Sequence, residues 1–211
     1  MNVLEHYASQ LDDLKKQGNL RQFTANIQMG RDIQINNRSM LNLSSNDYLG
    51  LAVDERIREE FFDLTPISEQ RMSSSSSRLL TGNFPEYEQL EQALSQLFEN
   101  RSALLFNSGY HMNIGILPAL CDSKTLILAD KLVHASLIDG MRLSTAQYVR
   151  YRHNDLNHLD ALLKKYQADQ TFERIIIVTE SIFSMDGDEA DLAALVALKK
   201  QYSNVMLYVD E

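Results

Sequence analysis

This 211-residue sequence has few of the features that mark secreted or membrane proteins. Its one cysteine, Cys121, excludes an internal disulfide framework. No apolar run approaches the roughly 18 residues that a membrane span needs. The first residues have neither the basic flank nor the apolar core of a signal peptide. We therefore expect a cytoplasmic protein that does not bind a membrane.

Positive charge is also scarce, with 20 Lys and Arg against 29 Asp and Glu and a formal net charge of −9. Nucleic-acid surfaces need clustered basic side chains, and the sequence has no such cluster. Small molecules or other proteins are the expected partners. A hydrophobic content of 44% over this length is enough for one domain or slightly more.

Segments of strand and helix character alternate from Arg101 to the end of the sequence. Strands are predicted over 102–106, 125–128, 147–151, 175–178 and 205–209, and helices over 110–120, 135–143, 156–166 and 192–202. Such alternation is typical of βαβ units. We therefore predict an α/β fold whose mainly parallel sheet carries helices on both faces.

The first hundred residues have a different organisation. A helix is predicted to end near Gly18, followed by a hairpin over 30–43, a polar turn-forming loop over 44–50, a helix over 57–64 and a helix that begins at Pro85. We assign 1–45 to an N-terminal arm and 46–211 to the large domain. The five serines over 73–77 fit either a flexible linker or a tight loop that faces a ligand.

Segment 173–188 changes abruptly from apolar to polar. Residues 175–178 predict a strand buried on both faces, and Thr179, Glu180, Ser181 and Ser184 follow its carboxyl end. Open α/β sheets bind ligands at that end of their strands. Residues 185–188, Met-Asp-Gly-Asp, predict a turn. An ordinary loop after a buried strand is the alternative interpretation.

Three more polar positions follow predicted strands. Gly109, between a strand and a helix, could let backbone N–H groups approach a phosphate, although an ordinary crossover looks the same. His134 could be a structural residue or could lie flat on an aromatic cofactor. Asp210 could hold a protonated pyridine nitrogen or could cap a following helix.

The sequence supports neither a metal site nor a serine nucleophile. His153, Asp155 and His158 lie close together, but their spacing matches no zinc pattern. Asn154 and Asp155 are better explained as the N-cap region of the helix that begins at Leu156. The nucleophile elbow Gly-x-Ser-x-Gly does not occur in the sequence. We therefore predict no metal and no serine hydrolase chemistry.

Six motifs stand in the order found in the α-oxoamine synthases. They are 45–51 (SNDYLGL), Ser77-Arg78 with Thr81-Gly82, 106–110 (FNSGY), Asp130 with 134–136 (HAS), 179–188 (TESIFSMDGD) and 209–211 (VDE). The sequence therefore resembles this family of enzymes, which depend on pyridoxal 5′-phosphate (PLP). The resemblance covers nearly the whole chain. It implies the fold type I large domain of the PLP-dependent transferases, like that of aspartate aminotransferase, incomplete at its C-terminus.

The resemblance also implies roles for individual residues. Cofactor contacts are expected from Ser108, Gly109 and Tyr110 near the phosphate, His134 stacked on the ring, Ser184 at the phenolic oxygen and Asp210 at the ring nitrogen. His134 and Asp210 are the expected catalytic residues. Substrate contacts are expected from Arg21, Asn46 and His134. The serine run departs from the glycines that many relatives have there.

The reaction implied by the resemblance joins an amino acid to an acyl thioester with loss of carboxylate. The members that this sequence most resembles use L-alanine with pimeloyl-CoA or the pimeloyl acyl-carrier-protein thioester in biotin synthesis. Glycine with acetyl-CoA and serine with palmitoyl-CoA are the alternatives within the family. A catalytically inactive fragment that acts only as a binding domain is the alternative of another class.

The family forms homodimers, and its Schiff-base lysine lies downstream of the motif that ends at Glu211. The resemblance therefore implies that the 211 residues alone are inactive. The lysines that are present occupy positions without a matching role.

Overall fold

The computed structural model describes residues 2–211, and the chain divides into two compact units between Asn83 and Phe84. The sequence predicts a boundary between the N-terminal arm and the large domain at 45/46. That boundary is based on expected function and not on compactness, and it stays a prediction. None of the helices formed by residues 2–211 combines the length and the apolar character that crossing a membrane requires.

The first unit contains two helices and a small antiparallel sheet. Its elements are α1 (Val3–Lys16), β1 (Ile27–Met29), β2 (Asp32–Ile35), β3 (Arg38–Leu41), a 3₁₀ turn (Leu51–Val53) and α2 (Glu55–Leu64). The helix predicted to end near Gly18 is confirmed, and so is the helix predicted over 57–64. The predicted hairpin is a three-stranded sheet of order β1-β2-β3, because the chain turns at Gly30 and again at Asn36 and Asn37.

Helix α1 begins where the sequence supplies a capping box. The side chain of Asn2 accepts a hydrogen bond from the N–H of Leu4 at 3.1 Å, and Glu5 accepts one from the N–H of Asn2 at 2.8 Å. These bonds pair N–H groups that the first turn of a helix leaves without partners. The helix ends at Gln17, followed by Gly18 with φ = 71°.

The second unit is an α/β layer structure. Its elements are α3 (Pro85–Leu97), α4 (Gly109–Leu120), β4 (Thr125–Asp130), α5 (Ala135–Leu143), β5 (Gln147–Tyr151), α6 (Leu156–Asp169), β6 (Arg174–Glu180), α7 (Leu192–Lys199) and β7 (Val205–Asp210). The four strands are all parallel and lie in the order β5-β4-β6-β7. The predicted parallel sheet with alternating helices is confirmed.

Alternate residues of the central strands enter two separate cores. Ile176 and Val178 of β6 pack with Leu117 of α4 and Leu137 of α5 on one face. Ile175 and Ile177 pack on the other face, where the partners from α6 and α7 are Leu159, Leu163 and Leu195. Because successive side chains of a strand point to opposite faces, the run 175–178 is apolar throughout. This confirms the prediction of a strand buried on both faces.

The strand predicted over 102–106 is wrong for this structure. Within residues 2–211, that segment pairs with no strand, Leu104 and Phe106 are partly exposed, and the N–H of Leu105 donates to Glu91 instead. A β-strand is defined by its hydrogen-bonded neighbour, and 102–106 pairs with none of the strands in the order β5-β4-β6-β7. The apolar character of 102–106 is therefore not enough to make a strand.

The close approach of α4 to α5 depends on Gly140. A Cβ placed at Gly140 would lie 2.4 Å from the backbone oxygen of Asn113, which cannot move independently of α4. We expect Gly140→Ala to lower the free energy of unfolding by about 1–3 kcal/mol, measured by urea denaturation. The matched control is Gly115→Ala within α4, where the nearest atom is the Phe106 Cε1 at 3.7 Å. That variant should be neutral or slightly stabilising, since alanine favours a helix. Equal losses in both variants would contradict this explanation.

Candidate active site

The carboxyl ends of β4, β6 and β7 bring polar residues to one edge of the sheet. Glu180 and Asp210 are paired neighbours in the register of β6 and β7. Beside them lies an open pocket of ≈ 250 Å³. Its lining includes five of the predicted site residues, which are Gly109, Tyr110, His134, Ser184 and Asp210. The structure therefore brings together residues that are up to 101 positions apart in the sequence, while their chemical roles stay predictions.

Helix α4 begins at this pocket. Ser108 is its N-cap, and the Ser108 Oγ accepts a hydrogen bond from the N–H of His111 at 3.2 Å. Gly109 and Tyr110 form the first turn, where helical N–H groups have no acceptor within the helix. Such a terminus suits a phosphate, because the N–H groups and the helix dipole both favour negative charge.

His134 is held by three hydrogen bonds at the start of α5. Its backbone N–H donates to the Glu180 carboxylate. Its ring Nδ1 accepts from the N–H of Ser136 at 3.2 Å and lies 2.7 Å from the Ser136 Oγ. Since a backbone N–H can only donate, Nδ1 carries no proton in this arrangement. The ring is then the tautomer with its proton on Nε2, which can donate to a substrate atom.

Glu180 supports His134 from below the pocket. Burial raises the pKa of this carboxyl, the hydrogen bond from the His134 N–H opposes the increase, and the nearby Asp210 charge adds to it. The sequence identified Glu180 only as a polar residue after a strand. The structure identifies it as the acceptor that anchors the backbone of His134.

Asp210 lies at the end of β7 and has a buried partner. The Asn113 Nδ2 donates to the Asp210 Oδ2 at 2.9 Å and to the Ser136 Oγ at 2.9 Å. The Asn113 Oδ1 accepts from the Tyr208 hydroxyl at 2.7 Å. Sequence reasoning missed Asn113, although its position one helical turn after Gly109 placed it on the same face of α4.

The turn that carries Ser184 is closely tied to the sheet. The N–H of Gly187 donates to the Phe183 carbonyl at 2.8 Å, and the N–H of Phe183 donates to the Asp188 carbonyl at 2.9 Å. Gly187 has φ = 74°, a conformation that favours glycine. Phe183 is fully buried, which anchors the turn in the core beneath the pocket. The predicted turn over 185–188 is confirmed.

His153 joins this turn to the end of β4. Its Nδ1 lies 2.8 Å from the Asp130 Oδ1, and its Nε2 lies 2.7 Å from the Asp188 Oδ2. The Asp130 carboxylate also accepts hydrogen bonds from the backbone N–H groups of Leu132 and Asn154, and the Asp188 carboxylate accepts one from the side-chain amide of Asn154. Both ring nitrogens of His153 therefore face hydrogen-bond acceptors. Burial of the ring lowers the pKa of His153, but the hydrogen bonds to the two carboxylates outweigh it and raise the pKa above 6.5.

The raised pKa of His153 predicts a pH-dependent contribution to stability. A group whose pKa is raised by folding stabilises the protein fully below its unfolded value and loses that contribution as pH rises through the folded value. We expect the free energy of unfolding of wild type to exceed that of His153→Gln by the largest amount below about pH 6.5. The difference between the two proteins should shrink as pH increases. Urea denaturation across pH 5–9 measures this difference, with His6→Gln on exposed α1 as the control. A constant difference across that range would refute a charged His153.

His153, Asp186 and Asp188 place potential ligand atoms within 4.8 Å of one another. Because both nitrogens of His153 already hydrogen-bond to carboxylates, the arrangement is explained as an ion-pair network. In the other cluster considered above, Asp155 is the N-cap of α6 and accepts from the N–H of His158 at 2.8 Å. The N-cap prediction for Asp155 is confirmed.

The predicted substrate residues Arg21 and Asn46 belong to the first unit, and both are exposed. Asn46 lies in a loop that Asp47 orders, because the Asp47 carboxylate accepts from the N–H groups of Leu51 and Ala52 at 2.8 and 3.2 Å. This loop also borders a cavity of ≈ 770 Å³, whose lining includes Tyr48. The substrate roles of Arg21 and Asn46 stay predictions.

The serine run forms a tight loop. Ser75 has φ = 58°, its N–H donates to the Ser73 Oγ at 2.9 Å, and the N–H of Gly82 donates to the Ser77 carbonyl at 2.9 Å. A Cβ at Gly82 would lie 1.9 Å from the Ser76 carbonyl oxygen, so the loop packs directly on this glycine. These contacts favour the tight loop over the flexible linker. Whether the loop faces a ligand stays a prediction.

Comparison with known proteins decides the family. Residues 38–211 match the family described as aminotransferase class I and II. The chain belongs to this family. Within it, the chain is 59% identical over 209 residues to a protein of Pasteurella multocida and 56% identical over 208 residues to one of Haemophilus influenzae strain Rd. Both relatives are named "Putative 8-amino-7-oxononanoate synthase", and each alignment covers 99% of this chain and 54% of the relative.

Solved structures of serine palmitoyltransferases have a similar fold. Sphingomonas wittichii serine palmitoyltransferase superposes with a TM-score of 0.85 at 26% identity, covering 100% of this chain and 53% of that chain. A serine palmitoyltransferase of S. paucimobilis with a bound PLP–myriocin aldimine gives 0.83 at 25% identity over the same shares. The resemblance to the α-oxoamine synthases, the PLP-dependent transferase fold and the cofactor PLP are confirmed. The chain spans about half the length of the curated relatives that it matches.

The residues at the pocket fit PLP in their chemistry. PLP presents a phosphate, a phenolic oxygen and a ring nitrogen. The pocket offers the start of α4, the Ser184 hydroxyl and the Asp210 carboxylate. Asn113 occupies one carboxylate oxygen of Asp210, and the second oxygen can serve the ring nitrogen. The donor set therefore matches the three polar groups of the cofactor.

Proposed function

We propose that the full-length protein is a PLP-dependent C-acyltransferase. It joins the α-carbon of L-alanine to the acyl carbon of a pimeloyl thioester, and it releases the free thiol of CoA or of an acyl-carrier protein together with the alanine carboxylate as CO₂. The observation that carries this proposal is the identity of 56–59% over nearly the whole chain with relatives named as 8-amino-7-oxononanoate synthases. The pocket at the ends of β4, β6 and β7 supports it, because it groups residues suited to one cofactor.

Each residue of the pocket then has a task. The ring of bound PLP supplies an electron sink for the reacting carbon. Asp210 binds the ring nitrogen and favours its protonated form. The N–H groups of Gly109 and Tyr110 hold the phosphate, and the Ser184 hydroxyl binds the phenolic oxygen. His134 would contact the ring, and its Nε2 proton would be available to the substrate because Nδ1 accepts from the N–H of Ser136.

The proposal requires parts outside these 211 residues. A lysine would hold the cofactor covalently and would move the proton at the reacting carbon. We propose that it lies in the remaining length of the full protein. We also propose a cytoplasmic homodimer, with Arg21 and Asn46 contacting the substrate. In the alternative of another class, the 211 residues act only as a binding domain. That alternative needs neither the lysine nor a partner subunit.

The test is a matched panel of substrates on the full-length protein reconstituted with PLP. Alanine, glycine and serine are each combined with pimeloyl, acetyl, succinyl and palmitoyl thioesters, and kcat/KM is measured for every pair. We expect alanine with a pimeloyl thioester to give the highest value. Serine with palmitoyl-CoA, the pair expected of a serine palmitoyltransferase such as the structural neighbours, is the second candidate. A preference for that pair, or for glycine with acetyl-CoA, would overturn the choice of substrate while leaving the enzyme class intact.

A further inference from the structure

A single buried amide connects the two predicted catalytic residues. Asn113 of α4 is 1% exposed and bridges α4, α5 and β7. Its Nδ2 donates to the Asp210 Oδ2 and to the Ser136 Oγ, each at 2.9 Å. The Ser136 Oγ in turn lies 2.7 Å from the His134 Nδ1. Asp210 and His134 are therefore linked through Asn113 and Ser136.

The orientation of this amide follows from its partners. The Asp210 carboxylate can only accept, so the Asn113 group that faces it must be the NH₂. The Asn113 Oδ1 then needs a donor, and the Tyr208 hydroxyl lies 2.7 Å from it. Burial, with a smaller contribution from the Asp210 charge, raises the pKa of Tyr208 to about 12, so this hydroxyl keeps the proton that it donates. Both N–H groups and the oxygen of the amide are thus engaged.

Close packing of two helices makes the bridge possible. The backbone oxygen of Asn113 is so near Gly140 of α5 that no Cβ fits between them. This approach brings Asn113 within hydrogen-bonding distance of Ser136, which lies one turn earlier on α5. The amide is consequently fixed by backbone packing as well as by its own hydrogen bonds.

We propose that Asn113 is a positioning residue for the chemistry at the cofactor, an inference that rests on the proposed function. By occupying the Asp210 Oδ2, it directs the other oxygen to the ring nitrogen. By orienting the Ser136 hydroxyl, it holds His134 in the tautomer that carries its proton on Nε2. One side chain outside the predicted site thereby sets the geometry of both predicted catalytic groups.

The experiment uses the full-length holoenzyme with Asn113→Leu, which keeps the side chain's size and removes its hydrogen bonds. We expect kcat to fall roughly 10- to 100-fold, the range for a lost hydrogen bond to a charged group, with little change in KM. In the Asp210→Asn background, Asn113→Leu should cause a smaller further loss, because the part of the effect that passes through the Asp210 carboxylate is already removed. Equal factors in both backgrounds would overturn the proposal.

A spectroscopic readout separates positioning from simple destabilisation. In holoenzyme reconstituted with PLP labelled with ¹⁵N in its ring, the ring-nitrogen signal should move toward the unprotonated position in Asn113→Leu. Tyr208→Phe, which removes only the hydroxyl that orients the amide, should move it in the same direction by less. Tyr151→Phe is the matched control, since its buried hydroxyl contacts Thr179 instead. An unmoved signal in both Asn113→Leu and Tyr208→Phe would refute the inference.

The proposed function and this inference fail in different ways. If Asp210→Asn leaves both turnover and the ring-nitrogen signal unchanged, the assignment of Asp210 is wrong and the inference fails with it. If Asp210→Asn is impaired and Asn113→Leu matches wild type in both measurements, only the inference about Asn113 is overturned.

Discussion

Asp210→Asn in the full-length enzyme is expected to lower kcat by roughly 10²–10³-fold, the range for removing one preorganised electrostatic group from an active site. Asparagine keeps the shape of the side chain and its hydrogen-bonding capacity toward Asn113, but it lacks the negative charge that favours a protonated ring nitrogen. Steady-state kinetics with saturating PLP measure the loss.

The stability of Asp210→Asn distinguishes this role from a helix N-cap. Asparagine caps helices about as well as aspartate, so a capping role predicts a change of less than about 1 kcal/mol in unfolding free energy and none in turnover. Asp191→Asn provides the control, because Asp191 is the N-cap of α7 and accepts from the N–H of Ala194 at 2.9 Å. Unchanged turnover in Asp210→Asn would remove the proposed role.

Asp130→Ala is expected to destabilise the protein by about 3–5 kcal/mol, the cost of breaking a buried ion pair from one side. The Asp130 side chain is fully buried at the end of β4. Its Oδ1 accepts from the N–H of Leu132 and from the ring of His153, both at 2.8 Å, and its Oδ2 accepts from the N–H of Asn154 at 2.9 Å. Removing the carboxylate takes the acceptor from the N–H groups of Leu132 and Asn154 and leaves His153 with Asp188 as its one carboxylate partner.

Urea denaturation at pH 6 measures the effect of Asp130→Ala, and Asp191→Ala is the control. Asp191 also accepts a backbone N–H but is exposed, so its loss should cost only about 1 kcal/mol. The double variant Asp130→Ala with His153→Leu should cost less than the sum of the two single variants, because each single variant already removes the contact between Asp130 and His153. A loss of under 1 kcal/mol in Asp130→Ala would show that the network contributes little.

Most of the second unit could be predicted from local patterns. The apolar run 175–178 and the capping residue Asp155 act through neighbouring residues, so their information lies within a short window of sequence. The segment 102–106 has the same apolar character as a strand but no strand beside it within residues 2–211. Pairing is a property of two segments, and one segment alone cannot reveal it.

The sequence by itself determined the alternation of strands and helices, and the polar residues at strand ends that carry the family resemblance. Only the tertiary structure decided which of those residues meet. In the sequence, Asn113 is a polar residue in a mostly apolar helix. In the structure, the packing of α4 against Gly140 brings it to Asp210, 97 positions away. His153 has two carboxylate partners only because the fold brings Asp130 and Asp188 together around it. Hydrogen bonds and charges act over a few ångströms in space, so their partners are set by the fold.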